Sequence, residues 1–255
     1  MSETLDETVA GLMAGVSTTI AEGDSMFAGN NTAHYMSVSR DALRAVLAAL
    51  QVTGRPEPKR VLDFGCGYGR VMRSLRAAFP AAELIACDMD PAALASCAEA
   101  FGARAVTGAP DVDDIEQVTE VDLLWCGSVL THLDAPDWGP LLRYFSRALA
   151  PGGVAVVTTH GRRMAMRAEA GKDYGLDARA TDRMLAAYKA CGFGYNDYAG
   201  NDGYGISLCS PGWAVQRALE APGLRLAGYD EAAWDRHQDV MVLVKDANEI
   251  LKSDL

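Results

Sequence analysis

No stretch of this sequence approaches the roughly 20 consecutive apolar residues that a helix needs to cross a bilayer. Paired cysteines are missing as well. The six, Cys66, Cys87, Cys97, Cys126, Cys191 and Cys209, are scattered without a C-x-x-C motif. Several fall inside apolar runs, where reduced core thiols are the expectation. The four histidines are not clustered at ligand spacing, so no metal site is expected. Basic clusters are scarce beyond Arg162-Arg163. With 23 Lys and Arg against 34 Asp and Glu, the net charge is −11, which argues against a phosphate-neutralising nucleic-acid face. The opening stretch MSETLDETVAGLMAGVSTTI is acidic where a secretion signal would be basic, so a cytoplasmic location is expected. No internal repeat or low-complexity linker occurs.

What is present is an ordinary globular balance, 49% hydrophobic and 22% charged over 255 residues. That length suffices for one large α/β domain or a domain with an added lid. The first 36 residues read as a loose helix and a loop. From Ser39, the residues Leu43, Val46, Leu47 and Leu50 mark an amphipathic helix that ends before the Gly54–Pro58 breaker. Strands are expected at Arg60–Phe64, Glu83–Cys87, Ala103–Val106, Val121–Cys126 and Val154–Thr159, alternating with helices. Asp90 as N-cap with Pro91 in the first turn starts one of these helices, and Asp134 or Asp137 caps another. Further on, Thr181–Cys191 and Pro211–Leu219 read as helices and 192–205 as a Gly-, Asn- and Tyr-rich loop. Tyr204–Cys209 and Asp239–Lys245 read as strands, with Leu224–Tyr229 as another extended piece. Alternation at this spacing implies a doubly wound parallel sheet with helices on both faces.

The chemistry concentrates in VLDFGCGYGR, residues 61–70, where a strand enters a Gly-x-Gly-x-Gly turn and leaves in a helix. Such glycines permit positive φ and close approach of a ligand to the backbone, and the helix start offers free N–H groups. A dinucleotide fold spaces its glycines Gly-x-Gly-x-x-Gly. Here the third glycine comes one residue early, and Asp63 at the turn's entry would repel a pyrophosphate but attract a cationic amino group. Asp88 ends the second strand, where a carboxylate accepts both ribose hydroxyls of a nucleoside.

These stretches, with LIACDMD (84–90), VDLLWCGSVLTHL (121–133) and LAPGGVAVVTTHG (149–161), resemble the class I S-adenosylmethionine-dependent methyltransferases. The resemblance implies a Rossmann-like, seven-stranded sheet, mostly parallel with an antiparallel edge strand, for which Tyr204–Cys209 and Asp239–Lys245 are suited. It divides the chain into an N-terminal lid or extension (1–36) and a methyltransferase domain (37–255). The cofactor half of that domain is 55–160 and its acceptor-side elements 161–238. It implies S-adenosylmethionine as cofactor and S-adenosylhomocysteine as product. Asp63, Gly65 and Gly67 would hold the methionine part, Asp88 the ribose and Met89 the adenine, with Cys66 also among the cofactor-binding residues. Cys126, Gly127 and Ser128 would line the end of the fourth strand. Relatives often place an acid directly after the glycine that follows the third strand, but here Gly108 precedes Ala109-Pro110. Asp111 and Val112 are therefore the candidates for the adenine loop. Tyr35, Arg40 and Arg70 are candidates for the lid and the methionine carboxylate.

His132 follows the fourth strand, His160 ends the fifth and His237 opens the last, so these three are the candidates for a catalytic base. The reading is O-methylation of a small-molecule or glycan hydroxyl. Its alternatives are N-methylation of a small amine, or a cofactor-binding sensor without transfer activity. The sequence is compatible with an oligomer and does not define one.

Overall fold

The structure is a computed structural model that describes residues 4–27, 29 and 31–247. Helix α1 (Leu5–Ala14) opens on a capping box, the Thr4 side chain accepting from the Glu7 amide and the Glu7 carboxylate reaching back. Helix α2 runs from Thr32 to Thr53, capped by Asn31 and ended by Gly54 in the left-handed conformation. It starts seven residues ahead of the helix read from Ser39 and passes unbroken through position 36. The hydroxyl of Tyr35, in its first turn, donates to Asp24 at 2.6 Å, and that buried bond draws the preceding loop onto the helix.

Strand and helix then alternate as β1 (Arg60–Phe64), α3 (Met72–Ala78), β2 (Glu83–Asp88), α4 (Pro91–Phe101), β3 (Arg104–Thr107), β4 (Val121–Cys126), α5 (Ala135–Ala148) and β5 (Leu149–Thr159). Asp90 caps α4 through the Ala92 amide at 2.8 Å. Of the two acids proposed for α5 it is Asp134 that caps, through the Ala135 amide. β5 begins at Leu149 and not at Val154. The Pro151-Gly152-Gly153 stretch is taken into the strand as an irregularity, with Val121 facing Leu149 and Leu123 facing Val154.

After β5 come α6 (Arg162–Glu169), α7 (Ala178–Cys191), β6 (Phe193–Tyr198), β7 (Asn201–Cys209), α8 (Pro211–Leu219), β8 (Leu224–Trp234) and β9 (Gln238–Lys245). Seven strands form one sheet in the order β3-β2-β1-β4-β5-β9-β8. β9 is antiparallel to both β5 and β8. The expected seven-stranded, mostly parallel sheet is therefore present, but one of its members differs. Tyr204–Cys209 is not part of it: as β7 it pairs with β6 in a separate two-stranded sheet. The stretch 192–205, read as a loop, is thus mostly hairpin. The antiparallel side of the main sheet is built by Leu224–Trp234 and Gln238–Lys245.

Both faces of the sheet are covered. Leu62, Ile85, Leu124 and Ala155 pack with Trp138, Leu142 and Phe145 of α5. Val61, Leu84, Leu123 and Val156 pack with Ala42 and Val46 of α2 and with Leu75 of α3. Burial on both faces explains why these strands read as continuous apolar runs. Five of the six cysteines are buried as the sequence implied, and Cys191 is exposed. Among the described residues, no helix is long and apolar enough to cross a membrane. Strand order reverses between β1 and β4, and the crevice beyond the carboxyl ends of such strands is where an open α/β sheet receives a ligand.

Candidate active site

Beyond β1, the amides of Gly65 and Cys66 both donate to the Cys87 carbonyl, at 2.8 and 3.1 Å, which ties the glycine turn to the end of β2. The Gly67 amide donates to Asp88 Oδ2 at 2.7 Å, and the Asp90 amide donates to Asp88 Oδ1 at 3.0 Å. Asp88 is thereby held in one orientation at the rim. Each carboxylate oxygen keeps a second lone pair for an incoming hydroxyl.

Asp63 lies beneath the turn, 2% exposed, and its Oδ2 is buried without a hydrogen-bond partner among the described residues. Burial, reinforced by the negative charge of Asp88, pushes this carboxyl up to about 8. A buried carboxyl lacking a cation is poorly satisfied. A cationic amino group would supply what it lacks.

Two glycines of the turn differ in what they face. At Gly65, with φ +77°, a Cβ would meet Val129 Cγ2 well inside contact distance, whereas at Gly67, with φ +49°, it would meet nothing within 4 Å. Gly65 is required by packing, and Gly67 opens on the crevice. Gly65→Ala is expected to destabilise the fold by about 2 kcal/mol or more, from left-handed strain plus the clash. Gly67→Ala should cost only about 1 kcal/mol of strain while placing a methyl group where a ligand would lie. Thermal denaturation and calorimetry with S-adenosylhomocysteine separate the two. Equal melting temperatures for the variants would contradict the assignment.

The floor on the β4 side is a hydrogen-bonded circuit. Ser128 adopts a left-handed backbone with φ +61°. Its amide donates to Thr158 Oγ1 at 2.9 Å, the Thr158 hydroxyl donates to Gln238 Oε1 at 2.6 Å, and Gln238 Nε2 donates back to Ser128 Oγ. A non-glycine residue held at positive φ by three elements marks a place where the fold sustains strain at a site. Thr158 and Gln238 were not found from sequence. The nearest signal was the polar His237-Gln238-Asp239 run at the head of an apolar strand.

The three histidines converge. His160 is 5% exposed, its ring centroid 5.2 Å from that of His237. Burial lowers its pKa well below the ordinary value, with smaller contributions from the charges of His237 and His132. Their tautomers are legible from their partners. His132 Nδ1 lies 2.8 Å from the Gly205 carbonyl and His160 Nδ1 lies 3.3 Å from that of Ser207. A carbonyl only accepts, so both rings carry the proton on Nδ1 and present Nε2 as an acceptor. His237 is the reverse: its Nδ1 lies 3.1 Å from Arg167 Nη1. A guanidinium only donates, so the His237 proton is on Nε2. Tyr204 stacks on His132 at 5.0 Å, and Tyr198 stands 6.0 Å away. The β6–β7 hairpin, missed in the sequence reading, thus forms a wall of the crevice.

Arg70 lies between the rings of Tyr35 and Trp234, 5.9 Å from each. Its pKa is lowered chiefly by burial. Tyr35 is itself 1% exposed. Arg40 stands apart, its half-exposed side chain 3.5 Å from Asp41. Met89 is exposed beside Asp88, and the Gly108 amide donates to the Asp88 carbonyl at 2.7 Å, which brings the loop after β3 against both. In that loop Asp111 caps a single turn through the Asp113 amide, and Val112 is half-buried against the core. Cys66 Sγ lies 3.9 Å from Cys97 Sγ under the turn. Cys126 is buried at the end of β4, and Gly127 packs over the Trp125 ring.

Comparison with known proteins agrees with this geometry. Residues 61–153 match the family model described as a methyltransferase domain. A trans-aconitate 2-methyltransferase of Methylobacterium nodulans is 32% identical over 127 residues, covering 50% of this chain and 48% of that protein. The Mycobacterium tuberculosis protein of the same name is 30% identical over 127 residues, covering 50% and 47%. The chain therefore spans about half the length of the curated relatives it matches. Among solved structures, an S-adenosylmethionine-dependent methyltransferase of Clostridium acetobutylicum aligns with TM-score 0.59 at 12% identity, covering 82% of this chain and 92% of that one. The 1,6-didemethyltoxoflavin-N1-methyltransferase of Burkholderia thailandensis aligns with TM-score 0.57 at 17% identity, covering 96% and 92%. Over residues 61–153 this chain is similar to methyltransferase domains, and its fold is that of solved S-adenosylmethionine-dependent methyltransferases.

Proposed function

We propose that the chain binds S-adenosylmethionine in the crevice beyond β1, β2 and β4 and transfers its methyl group to an oxygen atom of a small molecule. The observation that carries this reading is the buried Asp63 carboxyl, its Oδ2 unpartnered, beneath a turn whose Gly67 faces open space. Asp63 would pair with the cofactor's amino group, and Asp88 would accept its ribose hydroxyls. Met89 and the loop at Asp111 and Val112 would flank the adenine, with Cys126 to Ser128 along the remaining edge. When bound, S-adenosylmethionine supplies a methyl group on a cationic sulfur, open to in-line displacement.

The chain's own contribution is positioning, exclusion of water and management of one proton. The hairpin and the three histidines close the acceptor side. For a hydroxyl acceptor, His132 is the best-placed base. Its Nδ1–H is held by the Gly205 carbonyl, which leaves the Nε2 lone pair to take the proton. Burial lowers its pKa below the ordinary histidine value, so the ring is neutral and ready at pH 7. Transfer should accordingly be flat with pH around neutrality and decline only in acid, as the ring becomes protonated. The trans-aconitate 2-methyltransferases among the relatives are named for a small organic molecule, which supports an acceptor of that size.

Two measurements test the reading. Calorimetry should detect binding of S-adenosylhomocysteine, and a panel of hydroxylated metabolites, sugars included, should contain a member that gains the mass of one methyl group. His132→Ala should then slow single-turnover transfer to a hydroxyl by roughly 10²–10⁴-fold, the usual effect of a positioned base, with cofactor affinity unchanged. Transfer at the wild-type rate would remove His132 from that role.

A further inference from the structure

Around His237 the chain assembles positive charge that it does not neutralise. Arg167 of α6 donates to the ring, while Arg163, one turn earlier, and Lys172, just after the helix, stand close enough for their charges to disfavour its protonation. Asp235, from the turn between β8 and β9, acts in the opposite direction. Two other cations of this region have partners: Arg162 pairs with Glu231, and Lys189 with Glu169. Among the described residues, Arg163, Arg167 and Lys172 have no carboxylate within 4.0 Å. Three unpaired cations thus stand together around one imidazole in a chain of net charge −11.

Two of these cations border a cavity. Arg167, Ala170, Gly171 and Lys172 line a space of about 350 Å³, within the range of small-molecule sites. Beside it, across the Arg167–His237 hydrogen bond, the donors are fixed in direction. His237 is stacked on Tyr174 at 5.7 Å and meets His160 edge-on at 5.2 Å, so its Nε2–H is held in place. The Tyr174 hydroxyl is buried and has no partner among the described residues. A guanidinium fork, an imidazole N–H and a spare hydroxyl together match a planar anion with two oxygens.

We propose that Arg167 and His237 hold a carboxylate of the acceptor, which makes organic acids the preferred substrate class. The inference rests on the methyl-transfer reading and deepens it. The carboxylate is an anchor: no bond to it forms or breaks at Arg167, and the side chain selects the acceptor by charge and shape. His160, in contact with His237, joins this anchor to the crevice where the transferred group would lie.

The test is calorimetric titration of the protein saturated with S-adenosylhomocysteine, using trans-aconitate, succinate and benzoate against succinamide and benzamide. At least one acid should bind, at least tenfold tighter than the amides. Arg167→Gln should weaken that acid by roughly 10- to 100-fold and leave amide binding and S-adenosylhomocysteine affinity unchanged. Arg167→Lys, which keeps the charge but not the fork, should recover part of the loss. Equal binding of acids and amides, unchanged acid affinity in Arg167→Gln, or no binding of any acid would each overturn the assignment. Failure to bind S-adenosylhomocysteine at all would instead overturn the methyl-transfer reading beneath it.

Discussion

Asp63→Asn is expected to stabilise the ligand-free protein at pH 8 while weakening its hold on S-adenosylmethionine. The folded carboxyl keeps its proton up to about 8, mainly because of burial and secondarily because of Asp88. The unfolded chain releases that proton near the ordinary value of 3.8. Between those limits the folded state binds more protons, so stability falls as pH rises and levels off above about 8. An amide does not ionise, and the variant should lose this slope. Melting temperature followed from pH 4 to pH 9 should decline for the wild type and stay flatter for the variant. Affinity for the cationic cofactor should drop at least tenfold, because a charge-assisted hydrogen bond contributes roughly 1.5–3 kcal/mol. Parallel melting profiles would mean that Asp63 is already ionised and paired. A linked effect checks the same carboxyl without mutation. Cofactor binding at pH 7 should release close to one proton, visible as a dependence of binding enthalpy on buffer ionisation heat.

Asp88→Ala should produce the largest loss of cofactor affinity of any single change. The carboxylate is fixed by the Gly67 and Asp90 amides, so its remaining lone pairs point in directions already set by the fold. Removing two hydrogen bonds to an ionised acceptor, at roughly 1.5–3 kcal/mol each, corresponds to about a 10²- to 10⁴-fold weaker Kd. The Gly67 amide also loses its partner, which loosens the turn itself. Asp88→Asn keeps the shape and should fall between wild type and Ala. Unchanged affinity in Asp88→Ala would take the residue out of the site.

The cofactor half was readable because its signals are local. Asp90-Pro91 caps a helix through atoms two residues apart, and the glycine turn declares itself by residue type. Strands β1, β2 and β4 are buried on both faces and so consist of uninterrupted apolar residues. The acceptor half hides its order. Strands β6 and β7 carry Gly, Asn and Asp because they meet over a short turn at Ala199-Gly200 and are largely exposed there, which mimics a loop. The end of β7, Ile206 to Cys209, is as apolar as a strand of the main sheet, and nothing local distinguishes the two. β8, at the sheet edge, mixes polar and apolar residues over Leu224–Trp234 because most of its positions are only partly covered. The Ser128–Thr158–Gln238 circuit joins residues up to 110 positions apart, so it follows from topology and not from spacing.

The hairpin has one further consequence, for how such a molecule can diversify. It reaches the crevice with its main chain: the Gly205 and Ser207 carbonyls set the protons of His132 and His160, and the Cys209 amide donates to the His160 carbonyl at 2.8 Å. Carbonyls and amides are common to nearly all residue types. The exposed side chains along β6 and β7, unlike Gly194 and Gly205 where a Cβ would strike backbone, can therefore be exchanged, by descent or in a mutant library, while the imidazole tautomers stay as they are. Substrate preference becomes free to drift on a surface whose proton chemistry is anchored in the peptide backbone.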